Sequence, residues 1–312
     1  MSKFIKGLKL LGNPNKLVVV LSEYKIGKLF SDKFYLKSLY KYRTGKKLNL
    51  KNPKGFNAKL QWIKLYDRNP LYTTMVDKYE VKKYIAEKIG EQYVIPNLGV
   101  WDKFEDIDFS SLPNQFVLKC THDSGGLIIC RDKSKLDIEK ARANITSSLK
   151  SNYYYSSREW PYKNVKPRII AEAYMDDFQP GEEGYGGGLT DYKFFCFNGE
   201  PKMLYISRGL ENHKTAQISF YDLECNRMPF KRTDFAGIKG DIKKPQTIDE
   251  MIKIAEKLAK EVGCAFSRVD LYEINGKVYF SEFTFFPCSG LIPFDPPEWD
   301  EKIGEWVDLG IK

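Results

Sequence analysis

The sequence predicts an α+β protein. Strand-like runs follow one another mostly through short turns, helical stretches are interspersed among them, and no internal repeat is present. That order excludes a doubly wound parallel sheet, which needs a helical crossover after each strand.

In chain order, Ser31-Asp32 is positioned to cap a helix through Leu36, Leu39 and Tyr40, and Asn57 to cap another through Leu60, Ile63 and Leu65. Neither has enough apolar surface to stand alone, so both are expected to dock on the main body. Thr74-Met75-Val76-Asp77 resembles a capping box opening a helix that ends at Gly90. Strands are expected at Gln115–Cys120 and Leu127–Cys130, joined by Thr121-His122-Asp123-Ser124-Gly125-Gly126, then a helix near Ile138–Leu149 and a strand Arg168–Tyr174. Beyond a Gly-rich stretch, Gly181 to Gly188, come the strands Asp191–Asn198 and Lys202–Ser207. Thr247-Ile248-Asp249-Glu250 reads as a second capping box for a helix ended by Gly263. A hairpin closes the series, Phe266–Tyr272 and Val278–Phe286 around Asn275-Gly276.

At 312 residues the chain has room for roughly two domains and a proper core. Its longest apolar run, Leu17 to Leu21, is too short for a membrane span or a signal-peptide core, so a cytoplasmic location is expected. The six cysteines lack C-x-x-C spacing and the histidines number only two, His122 and His213, which disfavours a zinc site and histidine-dependent chemistry. Buried, reduced thiols are expected.

The net charge of +9 is unevenly spread: residues 1–70 carry +14 and the remainder −5. A basic front end attracts phosphates, anionic lipid head groups or acidic polysaccharide. Its interleaved aromatics would suit nucleic acid, but no recognition motif accompanies them and no nucleic acid is expected.

Chemistry is concentrated in the last hairpin. Arg268, Asp270 and Glu282 interrupt otherwise apolar strands, where an unpaired charge costs several kcal/mol. Two readings are open: an internal salt bridge, or two carboxylates holding Mg²⁺ against phosphate oxygens. A two-residue Asn275-Gly276 turn would pair Asp270 with Ser281 and send Glu282 to the other face. A three-residue loop with a bulge would gather Arg268, Asp270, Glu282 and Thr284 on one face, so the metal reading expects that loop. Three lysines are oddly placed as well. Lys119 ends the strand before the small-residue loop, Lys193 interrupts an apolar strand, and Lys78 falls in the first turn of its helix, where the macrodipole disfavours a cation. As a group they suit a triphosphate, although the loop is no Walker motif.

The ordered set Val76-Asp77-Lys78, Phe116-Val117-Leu118-Lys119, His122-Asp123-Ser124-Gly125-Gly126, Ile170-Ala171-Glu172-Ala173-Tyr174-Met175, Asp191-Tyr192-Lys193, Arg268-x-Asp270 and Ser281-Glu282-Phe283-Thr284 resembles ATP-grasp enzymes. It looks most like their TupA-like branch, named for teichuronopeptide synthesis. The likeness runs from about Lys28 to the C-terminus. It implies two α+β subdomains clasping ATP, at 71–171 and 172–312, behind a basic, mainly helical segment at 1–70. By the same resemblance Lys78 and Lys119 contact phosphates, and Ser124, Gly125 and Gly126 close over them. Glu172 accepts from the adenine amino group, and the backbone of Ala173, Tyr174 and Met175 forms the hinge. Asp177 binds ribose, with Asp176 or Glu182 as alternatives, and Lys193 approaches the terminal phosphates. Asp270, Glu282 and Thr284 hold Mg²⁺, and Arg268 stabilises the reacting phosphoryl and tetrahedral species. Thr284 stands where many relatives have Asn.

The implied reaction is an ADP-forming, ATP- and Mg²⁺-dependent joining of a carboxylate to an amine through an acyl phosphate. Lysines, an arginine and Mg²⁺ suffice for it, without histidine. The branch suggests an amino acid and a uronic acid of a capsule or other surface polysaccharide, or its precursor, as partners. The basic segment would contact a polyanion or the inner face of an anionic membrane. Rival readings are a nucleotide-sugar glycosyltransferase, from Asp106-Ile107-Asp108, an ATP-grasp sugar kinase, and a non-catalytic binding module.

Overall fold

The computed structural model describes residues 13–22, 28–123, 125–176, 189–210 and 214–311. Ser124, Asp177, Glu182, His213 and the Gly181 to Gly188 stretch lie outside the described residues.

The helices are α1 (Pro14–Ser22), α2 (Asp32–Thr44), α3 (Phe56–Tyr66), α4 (Leu71–Val76), α5 (Glu80–Ile89), α6 (Ile138–Leu149), α7 (Tyr154–Ser157), α8 (Ile248–Val262) and α9 (Trp299–Gly304). Strands β1 (Asn97–Trp101), β2 (Phe116–Cys120), β3 (Leu127–Cys130) and β4 (Ile169–Ala173) form an antiparallel sheet in the order β1-β4-β2-β3. A second antiparallel sheet has the order β10-β9-β5-β6-β7. Its strands are β5 (Asp191–Phe197), β6 (Glu200–Arg208), β7 (Gln217–Tyr221), β9 (Phe266–Ile274) and β10 (Lys277–Thr284). β8 (Lys231–Arg232) and β11 (Phe294–Asp295) make a short pair. The architecture is α+β. β4 runs to Ala173, past the boundary at 171 that the resemblance implies.

Side-chain alternation decides what each sheet offers. In the smaller sheet Phe116, Leu118, Cys120, Ile169 and Ala171 pack beneath Ala141 and Ile145 of α6. The residues between them, Val117, Lys119, Ile170 and Glu172, therefore point the other way. In the larger sheet Lys193, Asp270 and Tyr205 lie opposite one another on a single face. Further along that face Phe195, Phe197 and Phe266 pack against Phe56 of α3, with the Phe56–Phe266 ring centroids 4.8 Å apart. One face is thus polar at one end and aromatic core at the other. Helix α8 covers the opposite face, where the Cys196 thiol meets the Ala255 carbonyl.

The front helices dock as expected, but one joins a different body from its neighbours in sequence. Phe56, Leu60, Ile63, Tyr72, Met75, Val81 and Ile85 of α3 to α5 belong to the core of the larger sheet. Helix α2 packs in a satellite cluster with Leu48, Ala58 and Leu291.

Three expected caps are corrected. Asn57 caps nothing: its amide brackets Ile292, donating to the carbonyl and accepting from the N–H at 2.8 Å each. Thr247 donates its hydroxyl and its N–H to Glu273 on β9 instead of closing a capping box. The helix expected from Thr74 is broken at Asp77, whose carboxylate accepts from the N–H groups of Tyr79 and Glu80 and so starts α5 afresh. Lys78 consequently occupies a link between two helices, not a first turn. By contrast, Ser31 caps α2 as read, accepting from Phe34.

Candidate active site

The two polar faces meet across a cleft of about 410 Å³. Its floor is the smaller sheet: Val117 and Lys119 on β2, Leu127 and Ile129 on β3, and Glu172 on β4. Its roof comes from the larger sheet, with Asp191, Lys193, Phe280, Ser281 and Glu282. Lys78, Lys82 and Val81 close one side, and Ala173, Tyr174 and Met175 lead out of the floor.

The register of the roof corrects the expected turn. Ile274 pairs with Lys277, so the turn has two residues, Asn275 and Gly276, both at positive φ. Continued unbroken, that register would hide Glu282. A β-bulge at Ser281 restores it: Phe280 pairs with Leu271, Glu282 with Asp270 and Thr284 with Arg268. The four polar residues share one face by a device placed five residues beyond the turn.

The ion-pair reading of that face holds. Arg268 donates from Nε and Nη2 to the two oxygens of Asp270 at 2.7 and 2.6 Å, and from Nη2 to Glu282 at 3.1 Å and Thr284 at 3.0 Å. Lys193 bridges Asp191 at 2.9 Å and Asp270 at 2.7 Å. Asp191, Asp270 and Glu282 thus outnumber Lys193 and Arg268 by one charge. Burial raises the Asp270 carboxyl to about 6 despite its two cations, with Glu282 adding to the rise. Burial also works to raise Glu282, but Lys193 and Arg268 overcome it and hold that carboxyl at about 2. Its side chain keeps 42 % exposure, turned to the cleft. A surplus carboxylate beside a second one and a hydroxyl is a donor set of hard oxygens. It suits Mg²⁺, which takes one or two protein carboxylates and completes its shell with phosphate and water.

The floor has the opposite balance. Glu172 is buried and each of its oxygens meets an ammonium: Lys82 at 2.7 Å and Lys119 at 2.5 Å. Lys82, four residues after Lys78 on a helix start, was missed by sequence reading, where it looked like any surface lysine. The Lys78 N–H donates to the Thr121 carbonyl at 3.1 Å and its ammonium to the Asp123 carbonyl, which pins it beside the loop. Burial lowers the Lys78 pKa, opposed by Glu282 and Asp123.

The loop itself is organised by Asp123, which accepts from the Gly126 N–H and the Ser148 hydroxyl. A Cβ on Gly126 would lie 2.6 Å from the Cys120 sulfur and 2.7 Å from the Ser148 hydroxyl, whereas Gly125 has open space. His122 is buried, its Nε2 3.1 Å from the Ser148 carbonyl, and Cys120 lines the cleft with its thiol pushed up to about 11 by burial. Ser289 and Gly290 are occupied by structure, their carbonyls accepting from Lys64 and Gln61. Asp108 accepts from both the N–H and the hydroxyl of Ser110 and so caps a turn. All six cysteines are free, and among the described residues no helix is long and apolar enough to cross a membrane.

Comparison with known proteins places the chain. Among solved structures it is similar to D-alanine–D-alanine ligase from Bacillus anthracis, at 18 % identity over 76 % of this chain and 61 % of that one, with a TM-score of 0.42. It is also similar to L-amino acid ligase from Bacillus licheniformis, at 11 % identity over 75 % and 50 %, with a TM-score of 0.43. The chain spans about three-fifths and one half of those two proteins. Curated proteins give no match. A family model, TupA-like ATPgrasp, matches residues 58–308, which takes in both sheets and the cleft between them. The chain belongs to the TupA-like ATP-grasp family.

Proposed function

We propose that this protein is an ATP- and Mg²⁺-dependent carboxylate–amine ligase that joins an amino acid to a uronic acid of a surface polysaccharide or its precursor. The observation that carries this reading is the charge partition of the cleft: a lysine-rich floor faces a roof with a surplus carboxylate. A polyphosphate and its counter-ion need these two halves, and catalysis of phosphoryl transfer is mostly positioning and charge neutralisation.

Lys78 and Lys119 would lie along the phosphates, with Gly125 and Gly126 close above them, and Lys193 near the terminal group. Asp270 and Glu282, with Thr284, would hold Mg²⁺, which supplies charge neutralisation on phosphate oxygens. Arg268, gripped by Asp270, would stabilise the reacting phosphoryl and tetrahedral species. The hinge backbone at Ala173, Tyr174 and Met175 leads from floor to roof; Ala173 donates to the Pro96 carbonyl at 3.0 Å. The reacting carboxylate would attack the γ-phosphorus of ATP, breaking the β–γ bond and releasing ADP, to give an acyl phosphate; the amine would then attack its carbonyl carbon, lose a proton and expel inorganic phosphate.

The uronic-acid acceptor is supported by family and by charge. On α2 the outward stripe carries Lys33, Lys37 and Lys41, all exposed, beside Phe34 at 50 % and Leu29 at 82 % exposure. Asp32, the acid at its start, is turned inward to Arg68 and Arg158. A cationic, aromatic-tipped stripe suits an anionic polymer or the cytoplasmic face of a membrane carrying a lipid-linked precursor.

The test is a panel of amino acids against uronic-acid sugars with Mg·ATP, scored by phosphate release and product mass. Amine-dependent release of phosphate with an amide product is the expected result. ADP release with a phosphorylated sugar and no free phosphate would replace the ligase by a kinase.

A further inference from the structure

Between α6 and β4 the chain runs through Asn152-Tyr153-Tyr154-Tyr155, the short helix α7 and Tyr162-Lys163, none of which the cleft uses. One end of this segment comes to the reacting end of the cleft. Burial raises the Tyr162 phenol, Glu159 and Glu282 add to the rise and Arg268 opposes it, so the phenol lies within electrostatic reach of all three. The Tyr153 ring stands edge-on to Tyr162, centroids 4.8 Å apart, and the Asn152 amide donates to the Lys163 carbonyl at 3.1 Å. The Lys163 ammonium lies 5.2 Å from the centre of the buried Tyr154 ring. Tyr155 follows at 5.0 Å, with the Lys28 ammonium 4.8 Å over its ring. Lys28 and Lys163 are exposed, and Tyr153, Tyr155 and Tyr162 are half-buried. At its outer end the segment is clamped to α2: Tyr35 donates to the Ser156 carbonyl, Tyr154 donates to Asp32, and Arg158 packs 4.7 Å over Tyr35. Lys33 and Lys37 of α2 are exposed and extend the row of cations.

A track of phenol rings and ammoniums therefore leads from Arg268 and Glu282 to the basic front end. Its acids are already engaged: Glu159 is buried and accepts from Ser157, and Asp32 is turned to Arg68 and Arg158. We propose that this track binds an acidic polysaccharide, so that the acceptor is a chain of several uronic-acid units and not a single sugar. Sugar rings lay their C–H faces on aromatic rings and their hydroxyls against phenols, while each carboxylate meets an ammonium. A lipid surface is the poorer match, because no large apolar side chain between 151 and 167 is exposed. This inference rests on the reading of the cleft as a ligase site that takes a uronic acid.

Chain length separates a track from a single-sugar site. Calorimetric titration of the full chain is made with the dimer, tetramer and hexamer of galacturonic acid and of mannuronic acid, and separately with Mg·ATP. Affinity is expected to rise with length, a hexamer binding about tenfold tighter than its dimer. Lys28→Gln combined with Lys163→Gln should weaken the hexamer about threefold to tenfold, whereas Lys243→Gln combined with Lys244→Gln, at exposed lysines before α8, should leave it unchanged. Tyr153→Leu should weaken it about twofold to tenfold, with Tyr153→Phe restoring most of the loss. Affinity independent of length in both series, equal losses in the two lysine pairs, or a hexamer indifferent to every variant overturns the proposal. So does binding of phosphatidylserine vesicles, lost with Lys28 and Lys163, by a chain that binds neither hexamer; the surface then belongs to a membrane. A chain that binds the hexamer through these residues but does not bind Mg·ATP keeps the track and removes the ligase reading instead.

Discussion

The floor and the roof of the cleft solve the same problem, buried charge, in opposite ways. On the floor one carboxylate, Glu172, is shared by two ammoniums, and Lys78 adds a third. On the roof two cations, Lys193 and Arg268, are shared by three carboxylates. Each half is close to neutral, which keeps it foldable, and each is short of neutral in the direction that its proposed ligand would complete. The surplus is built into the fold, so the proposed phosphate and metal would need little reorganisation of these side chains. The difference teaches that a buried salt bridge and a ligand site are not rival explanations here. The imbalance of the bridge is the site.

The comparison is broken most severely by removing the surplus. Glu282→Gln neutralises the roof while leaving the buried Arg268–Asp270 grip, so turnover of ATP should fall about 10³-fold with the thermal midpoint little changed. Asp270→Asn should lose activity as fully and also destabilise the fold by about 3–5 kcal/mol, because the buried Arg268 would lose its bidentate carboxylate and Lys193 one of its two. Activity that survives either change, measured as ATP-dependent phosphate release, would remove these residues from the reaction.

The floor is probed by acid. Glu172 has its carboxyl depressed in the folded state, from 4.5 to about 2, so its contribution is complete above pH 4.5 and is lost as pH falls towards 2. At full value that is up to about 3 kcal/mol. Urea unfolding of wild type and Glu172→Gln should show a stability difference that shrinks between pH 4.5 and 2; a difference independent of pH in that window would mean the lysines do not hold the charge.

The smallest effect concerns the loop between β2 and β3. Gly126→Ala forces a Cβ against Cys120 and Ser148 and should cost about 1–3 kcal/mol, with weaker ATP binding. Gly125→Ala meets nothing within 4 Å and should fold as wild type. Equal behaviour of the two variants in thermal unfolding would contradict the described loop.

Much of this site was legible because its residues violate their local surroundings. Arg268, Asp270, Glu282 and Lys193 are charges in apolar strands, and Lys119 ends one, so alternation alone flagged them. Lys82 gave no such signal, since a lysine on an amphipathic helix is unremarkable until its neighbour across the cleft is known. Strands β1 and β7 were missed for a related reason. β1 has no buried position and β7 is buried at every position after Gln217, so neither alternates between a buried and an exposed face. The helix break at Asp77 was hidden inside what read as one capping box, because Asp77 caps the second helix and not the first.

The sequence by itself determined which residues are charged, which strands carry them and that the whole is α+β, since periodicity and propensity act over a few residues. Only the tertiary structure decided which charges meet: the Ser281 bulge that brings Glu282 beside Asp270, the Lys82–Glu172–Lys119 chain, and the join of α3 to α5 with the larger sheet. Those outcomes depend on strand register and on segments far apart in the chain packing together. The energies that fix them belong to pairs of distant residues and are invisible to any local window.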